Sequence, residues 1–170
     1  MGWTPFVDSW FEAKEKVPEN KQLVVLLRKF FEKYVEACLE FRRKDCRQIV
    51  DVDPLAAVRS LCNLFDAVNT PENGVVPGED DYPRMVEQWF VYSLVWSIGA
   101  TVDEEGRKKM DMCLREIDAQ FPSKGTVYDI YIDPVKRTWA QWSEKLNANW
   151  KPAPNEPFFK IQVPTVDFPL

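Results

Sequence analysis

A chain of 170 residues has room for one domain with a sizeable buried core. Its 45% hydrophobic content and seven Trp residues exclude the disordered class. A net charge of -5 and an isoelectric point near 4.9 exclude nucleic acid as a main partner, because phosphate binding needs a basic face.

A short amphipathic piece around Phe6, Trp10 and Phe11 opens the chain and ends before Pro18, which sets residues 1–17 apart as an entry segment. The clearest helix runs from about Asn20 to Asp45. Leu23, Leu27, Phe30, Tyr34, Cys38 and Phe41 recur there every three or four residues and line one face. The repeat is too short for a coiled coil, so an antiparallel bundle helix is expected. Asp53-Pro54 is a helix start with a carboxylate cap and a proline in the first turn. Leu55, Val58, Leu61, Cys62, Phe65 and Val68 give that second helix its stripe, and it stops near Thr70-Pro71. Pro71 to Asp81 is rich in Pro, Gly and acidic residues and reads as an exposed loop.

Asp81 and Pro83 restart the chain into a near-continuous apolar helix through Trp89 that breaks at Gly99-Ala100. Thr101 and Glu104 then have the spacing of a capping box. Asp103, Glu104 and Glu105 fall at the positive end of the following helix dipole, and Glu104/Lys108 and Glu105/Lys109 are favourable i,i+4 pairs. Met110, Cys113, Leu114, Ile117 and Phe121 continue the stripe, so residues 18–121 read as a helical bundle. Residues 122–150 change in character. Thr126 to Ile132 and Thr138 to Trp142 suit two strands, and Asp133 to Arg137 between them predicts a β-hairpin. Over 151–170, Pro152, Pro154, Pro157, Pro164 and Pro169 favour an extended connector. The expected fold class is mainly α: a helical bundle with a small β-hairpin and an extended C-terminal connector.

No signal peptide is expected, since Met1-Gly2-Trp3 leads straight into mixed sequence. The longest apolar run, Trp89 to Ala100, is too short to span a bilayer, so no membrane partner is expected. Arg42-Arg43-Lys44 and Arg107-Lys108-Lys109 are flanked by acidic residues and read as solvated helix faces. Trp89, Phe90, Trp96 and Phe65 read as core. Trp139, Trp142 and Trp150 would pack on the bundle or on a neighbouring module.

Chemistry-bearing motifs are missing. No G-x-x-x-x-G-K-[ST] cradle for phosphates occurs, and Ser123-Lys124-Gly125-Thr126 has the wrong order for one. With no histidine, Ser/His and Cys/His nucleophile systems are impossible. Cys38, Cys46, Cys62 and Cys113 lack paired C-x2-4-C spacing, so no metal site is expected and buried thiols are the simple reading. Glu79-Asp80-Asp81 has no apolar pocket to raise a carboxyl pKa. The chain is not expected to be an enzyme by itself, and no catalytic residue is assigned.

The ordered wording of the chain resembles the heavy chain of axonemal dynein. The resemblance rests on Trp89-Phe90, Ser93-Leu94-Val95-Trp96-Ser97-Ile98-Gly99, Val102-Asp103-Glu104-Glu105-Gly106-Arg107-Lys108-Lys109 and Leu114-Arg115-Glu116-Ile117. It continues through Phe121-Pro122, Thr126-Val127-Tyr128, Asp133-Pro134, Trp150, Pro157-Phe158, Lys160-Ile161 and Val163-Pro164-Thr165-Val166-Asp167. Gly2-Trp3, Pro5-Phe6 and Ser9-Trp10 extend it to the start of the chain.

The resemblance implies the helical lid of the second AAA+ module, with residues 1–17 leaving that module's core and 151–170 leading to the third. It implies a non-catalytic lid and linker in an ATP-driven, microtubule-based motor of cilia and flagella. ATP and Mg would belong to the parent motor, with no cofactor in this chain. The implied partners are neighbouring AAA+ modules and, indirectly, microtubules and dynein light and intermediate chains, in an axonemal location. The overall wording points to the inner-arm class. By position, Arg107 is the candidate for reaching a bound phosphate, with Gly99 and Gly106 allowing close backbone approach. The rival assignment gives Arg107 a surface or inter-helix salt bridge and makes Gly99 a simple helix end. A free-standing interaction or scaffold protein derived from a dynein gene is the second reading of the whole chain. It draws on the Met1-Gly2-Trp3 start and on the ending Val166 to Leu170, which departs from the family pattern after Asp167.

Overall fold

The structure, a computed structural model, describes residues 2–146 and 148–164. The end of the connector from Thr165 to Leu170, including Thr165-Val166-Asp167 of the resemblance, lies outside the described residues. Six α-helices and one antiparallel hairpin are found among the described residues. In chain order they are α1 (Thr4–Glu15), α2 (Lys21–Phe30), α3 (Glu36–Asp45), α4 (Pro54–Val68), α5 (Tyr82–Val95), α6 (Glu104–Ile117), β1 (Ile130–Asp133) and β2 (Thr138–Gln141). The expected class of a helical bundle with an appended hairpin is the observed one. No helix among the described residues is long and apolar enough to cross a membrane.

One hydrophobic core runs from Val7 on α1 to Trp139 on β2. Phe90 on α5 is its hub. The rings of Phe30, Phe31, Tyr34 and Phe65 lie 5.7, 5.4, 6.3 and 6.0 Å from it, in tilted or edge-on arrangements. Such pairs add about 0.5–1.5 kcal/mol each beyond the area they bury. Trp89 is buried as expected, and Trp139 is buried against Phe121 at 5.6 Å. Trp142 stays half-exposed and stacks on Tyr131 at 4.6 Å, with the Lys145 ammonium 4.0 Å from the Tyr131 ring.

The long helix expected over 20–45 carries a π turn, Phe31–Val35, between α2 and α3. The wider turn brings Phe30 with Phe31 and Tyr34 with Val35 onto the buried side as adjacent pairs. It also aims Lys33 and Tyr34 at α5 and at the end of α6. Lys33 Nζ donates to Glu87 at 2.9 Å and to Asp118, while Tyr34 OH donates to Glu87 at 2.7 Å and to Asp118 at 3.1 Å. Burial pushes the Asp118 carboxyl up, but Lys33 and Tyr34 outweigh it and hold it below the usual range.

Three local expectations are corrected. Asp103, not Thr101, caps α6: its Oδ1 accepts from Gly106 N at 2.8 Å. Thr101 is drawn aside because its strand-like segment pairs with 46–49, where Gln48 bridges Val102 and Ile49 N donates to Thr101 O at 2.8 Å. The Thr101 hydroxyl donates instead to Gln48 Oε1 at 3.1 Å. The first strand starts at Ile130 and not at Thr126, because Asp129 Oδ2 accepts from Thr126 N at 2.7 Å and folds residues 126–129 into a turn. The loop from Pro71 to Asp81 is not wholly exposed. Val75 is buried, and Glu79 and Asp81 hold Arg137 of the hairpin turn, with bonds of 2.6 and 2.7 Å to Asp81 and 2.8 Å to Glu79. Arg137 has φ 57, and its bidentate grip on Asp81 fixes that turn.

From Lys151 to Pro164 the connector is mostly exposed, with one short 3-10 turn at Phe158–Lys160. Phe158 and Phe159 are 90% and 84% exposed.

Candidate functional site

Gly99 and Arg107 are brought together by Tyr128, to which sequence reasoning gave no site role, while Gly106 precedes Arg107 on α6 and lies against Val102 and Asp103. After α5 ends at Val95 the chain turns through Trp96 to Gly99. The Tyr128 hydroxyl donates to Gly99 O at 2.6 Å. The Arg107 guanidinium, on the first turns of α6, lies 4.9 Å from the centre of the same ring. The Trp96 ring meets it edge-on at 5.9 Å. Burial pushes the Tyr128 hydroxyl well above the usual phenol range, partly offset by Arg107, so it remains a protonated donor.

Both glycines are buried, and their missing side chains leave room for the protein itself. A Cβ on Gly99 would lie 2.7 Å from Val95 O and 2.9 Å from the Tyr128 hydroxyl. A Cβ on Gly106 would lie 2.8 Å from Val102 Cβ. Gly99 therefore lets the 126–129 turn approach the end of α5, and Gly106 lets α6 start tightly against Val102 and Asp103. Gly99 does more than end a helix, since its carbonyl is the acceptor that seats Tyr128.

Arg107 is exposed, and among the described residues no carboxylate pairs with its guanidinium. Its neighbours Lys108 and Lys109 are occupied, at 3.1 Å from Glu104 and 3.0 Å from Glu105. In place of the salt bridge of the rival assignment, Arg107 makes a cation–π contact with the Tyr128 ring while its side chain stays exposed. An exposed arginine held in this way can accept an oxyanion without first giving up a carboxylate partner.

The other basic cluster is only partly a solvated face. Arg43 and Lys44 are exposed, but Arg42 is 3% exposed. It follows Cys38 by one turn on the buried side of α3. Its guanidinium donates to Val52 O at 3.0 Å and to Thr101 Oγ1 at 3.4 Å, tying α3 to the segments on either side of the 48/102 bridge. Burial pulls this guanidinium below its usual range against the opposing fields of Asp51 and Asp53. A groove of about 670 Å³ lies beside it, lined among others by Trp3, Leu39 and Val52. Its rim carries Glu36, Glu40, Asp51 and Asp53 against Arg42 and Arg43, so a polyanion gains little there. Arg107 is the better placed of the two for a phosphate.

The family described as "Dynein heavy chain AAA lid domain" matches residues 27–144. Dynein axonemal heavy chain 2 of Mus musculus is 46% identical over 168 residues, covering 98% of this chain and 4% of that protein. The Homo sapiens protein of the same name is 45% identical over 168 residues with the same coverage. The dynein-1-beta heavy chain, flagellar inner arm I1 complex, of Chlamydomonas reinhardtii is 38% identical over 199 residues, again covering 98% of this chain and 4% of its own length. This chain thus spans about 4% of the length of these curated relatives.

Proposed function

The chain belongs to the dynein heavy chain AAA lid domain family, and from that premise we propose that it works as the non-catalytic lid and linker of an ATP-driven microtubule motor. The family match over 27–144 carries the reading, because it covers α3 to α6 and both strands of the hairpin. On this reading the parent motor is an ATPase of cilia and flagella, sited in the axoneme. The relatives' names, which include axonemal and flagellar inner-arm chains, support that location and the inner-arm class. ATP and Mg are bound by parts of the parent outside this chain, and the partners are the neighbouring AAA+ modules. Microtubules and light and intermediate chains are reached through the motor as a whole.

Within this role Arg107 faces the nucleotide of the second module, and Gly99 and Gly106 set its position through Tyr128 and the tight start of α6. The exposed guanidinium over the Tyr128 ring supports the assignment. The exposed Phe158 and Phe159 suit a connector that packs against a neighbouring module. Rigid helices joined to a neighbour by an extended strap fit rigid-body motion between modules.

The test is Arg107→Ala in the full motor, with nucleotide occupancy at the second site as the readout. Retention of nucleotide falls if Arg107 contacts it, and unchanged occupancy refutes the contact. An immunoblot of isolated cilia with an antibody to the 72–81 loop tests the wider reading. A single very large band supports the motor; a band near 19.9 kDa supports the free-standing interaction protein.

A further inference from the structure

Helix α6 runs antiparallel to α3 and to the π turn before it, and the contacts between them keep a single register. Cys46 Sγ donates to Gly106 O at 3.7 Å, and Lys109 Nζ donates to Asp45 O at 3.2 Å. At the other end of the pair, Tyr34 OH donates to Asp118 Oδ2 at 3.1 Å. Each step back along α3 is matched by a step forward along α6. That register sets Cys38 opposite Cys113, near enough for each thiol to shift the other's proton affinity. Cys38 is fully buried, whereas Cys113 is half-buried and open to small solutes.

The pair is asymmetric in the manner of a nucleophile and its resolving partner. The neighbouring Cys38 pulls the Cys113 thiol below its usual range, while Cys113 and burial push Cys38 up. The other two thiols are less suited. Cys46 is engaged with Gly106 O, and Cys62, on α4, is pushed up to about 12 by burial and by Asp66.

We propose that Cys38 and Cys113 form a reversible dithiol–disulfide site, oxidised by a hydroperoxide, that locks α3 to α6. The Cys113 thiolate attacks one peroxide oxygen; an S–O bond forms and the O–O bond breaks. The departing oxygen takes the proton released by the thiol and leaves as water, giving a sulfenic acid on Cys113. The Cys38 sulfur, giving up its own proton, then attacks the sulfenic sulfur; the S–S bond forms, the S–O bond breaks and a second water leaves. Two thiols and one hydrogen peroxide thus become one disulfide and two waters, with two electrons passing from sulfur to oxygen. A dithiol reductant reverses the change by exchange. The bridge closes a long stretch of chain, so the oxidised form unfolds at a higher temperature.

The 170-residue chain is treated with hydrogen peroxide, unfolded, alkylated with N-ethylmaleimide, digested and read by mass spectrometry. Of the four thiols, two escape alkylation, a peptide joining Cys38 to Cys113 appears, and dithiothreitol abolishes both changes. The thermal midpoint of the treated chain rises. Cys113→Ser, at a half-buried position, keeps its three remaining thiols free under the same treatment, and Cys46→Ser still forms the bridge. The proposal is overturned by full alkylation at a peroxide dose that oxidises free cysteine in the same tube. It is equally overturned by a sulfinate on Cys113 without cross-linking, or by a bridge between Cys113 and Cys46.

Discussion

Replacing Tyr128 with Phe removes one oxygen and leaves the ring on which Arg107 rests. The hydroxyl is the side-chain donor to Gly99 O, at 2.6 Å, and both residues are buried. Its loss strands a buried carbonyl, which costs about 1–3 kcal/mol. For a domain of this size a urea slope of about 2 kcal/mol/M is expected, so the midpoint falls by roughly 0.5–1.5 M with the slope unchanged. Equilibrium urea unfolding followed by Trp fluorescence measures this. An unchanged midpoint refutes the reasoning, since the carbonyl must then have water or another donor at hand.

Gly99→Ala probes the same contact from the other side. The new methyl lies 2.7 Å from Val95 O, which belongs to a helix backbone, and 2.9 Å from the Tyr128 hydroxyl. Overpacking of this kind costs about 1–3 kcal/mol. In the double variant the clash with the hydroxyl disappears while the clash with Val95 O remains. The two losses are therefore less than additive, with a coupling of about 0.5–3 kcal/mol as found for residues in contact. Strict additivity would mean that only the helix backbone limits the space at Gly99.

Asp103→Ala removes the cap of α6 and lowers stability by about 1 kcal/mol. Glu104→Ala, on an exposed pair at the same turn, stays within about 0.5 kcal/mol of the parent, and the reverse order in urea unfolding would restore the capping box. Tyr34→Phe removes the donations to Glu87 and Asp118 and lowers stability by about 1–2 kcal/mol, read in the same assay. The Asp81 carboxyl is held down to about 2 by Arg137 above all, against the opposing effect of burial, with Arg84 adding to the lowering. Because its folded value lies below the unfolded one, the stabilisation is complete above about pH 4 and is lost as pH falls toward about 2. An NMR pH titration shows this directly: Arg137→Gln moves the Asp81 midpoint back toward the usual carboxylate value, and an unmoved midpoint refutes the pairing.

Apolar periodicity made the helices legible because each has a face that must be buried: Leu23, Leu27, Phe30, Tyr34 and Cys38 on one, Leu61, Phe65 and their neighbours on the next. The cap at Asp53 was equally plain, since a carboxylate before Pro54 has few other local uses. The cap at Asp103 was misplaced for a non-local reason. Which of Thr101 and Asp103 faces the helix amides is decided by the pairing of 101–103 with 47–49, and nothing within the local sequence reports that pairing. Arg107 and Gly99 were found through family resemblance, whereas Tyr128 passed for an ordinary strand residue. The Asp129 turn that aims its hydroxyl at Gly99 is local, but its target lies 29 positions away.

The π turn shows the same limit and sets the register of the bundle. Buried positions fall at 23–24, 27 and 30 before it, at 31 and 34–35 within it, and at 38–39 and 42 after it. Phe31–Val35 is a π turn, whose i→i+5 bonds enclose one residue more than the i→i+4 bonds of an α-helix, so the turn carries one residue in excess. Each residue of an α-helix rotates the following face by about 100°, and an uninterrupted helix over 21–45 would turn Cys38 and Arg42 away from their present neighbours. The excess residue is what keeps Tyr34 against Glu87 and Asp118 while Cys38 meets Cys113 and Arg42 reaches Val52 O. Glu32 is the exposed member of the turn, so its deletion removes no core side chain. Deletion lets the turn relax to α-helix and rotates one half of the element against the other. The Cys38–Cys113 bridge should then fail to form in chains that still fold, which ties the redox pair to the register and not to the presence of two cysteines alone.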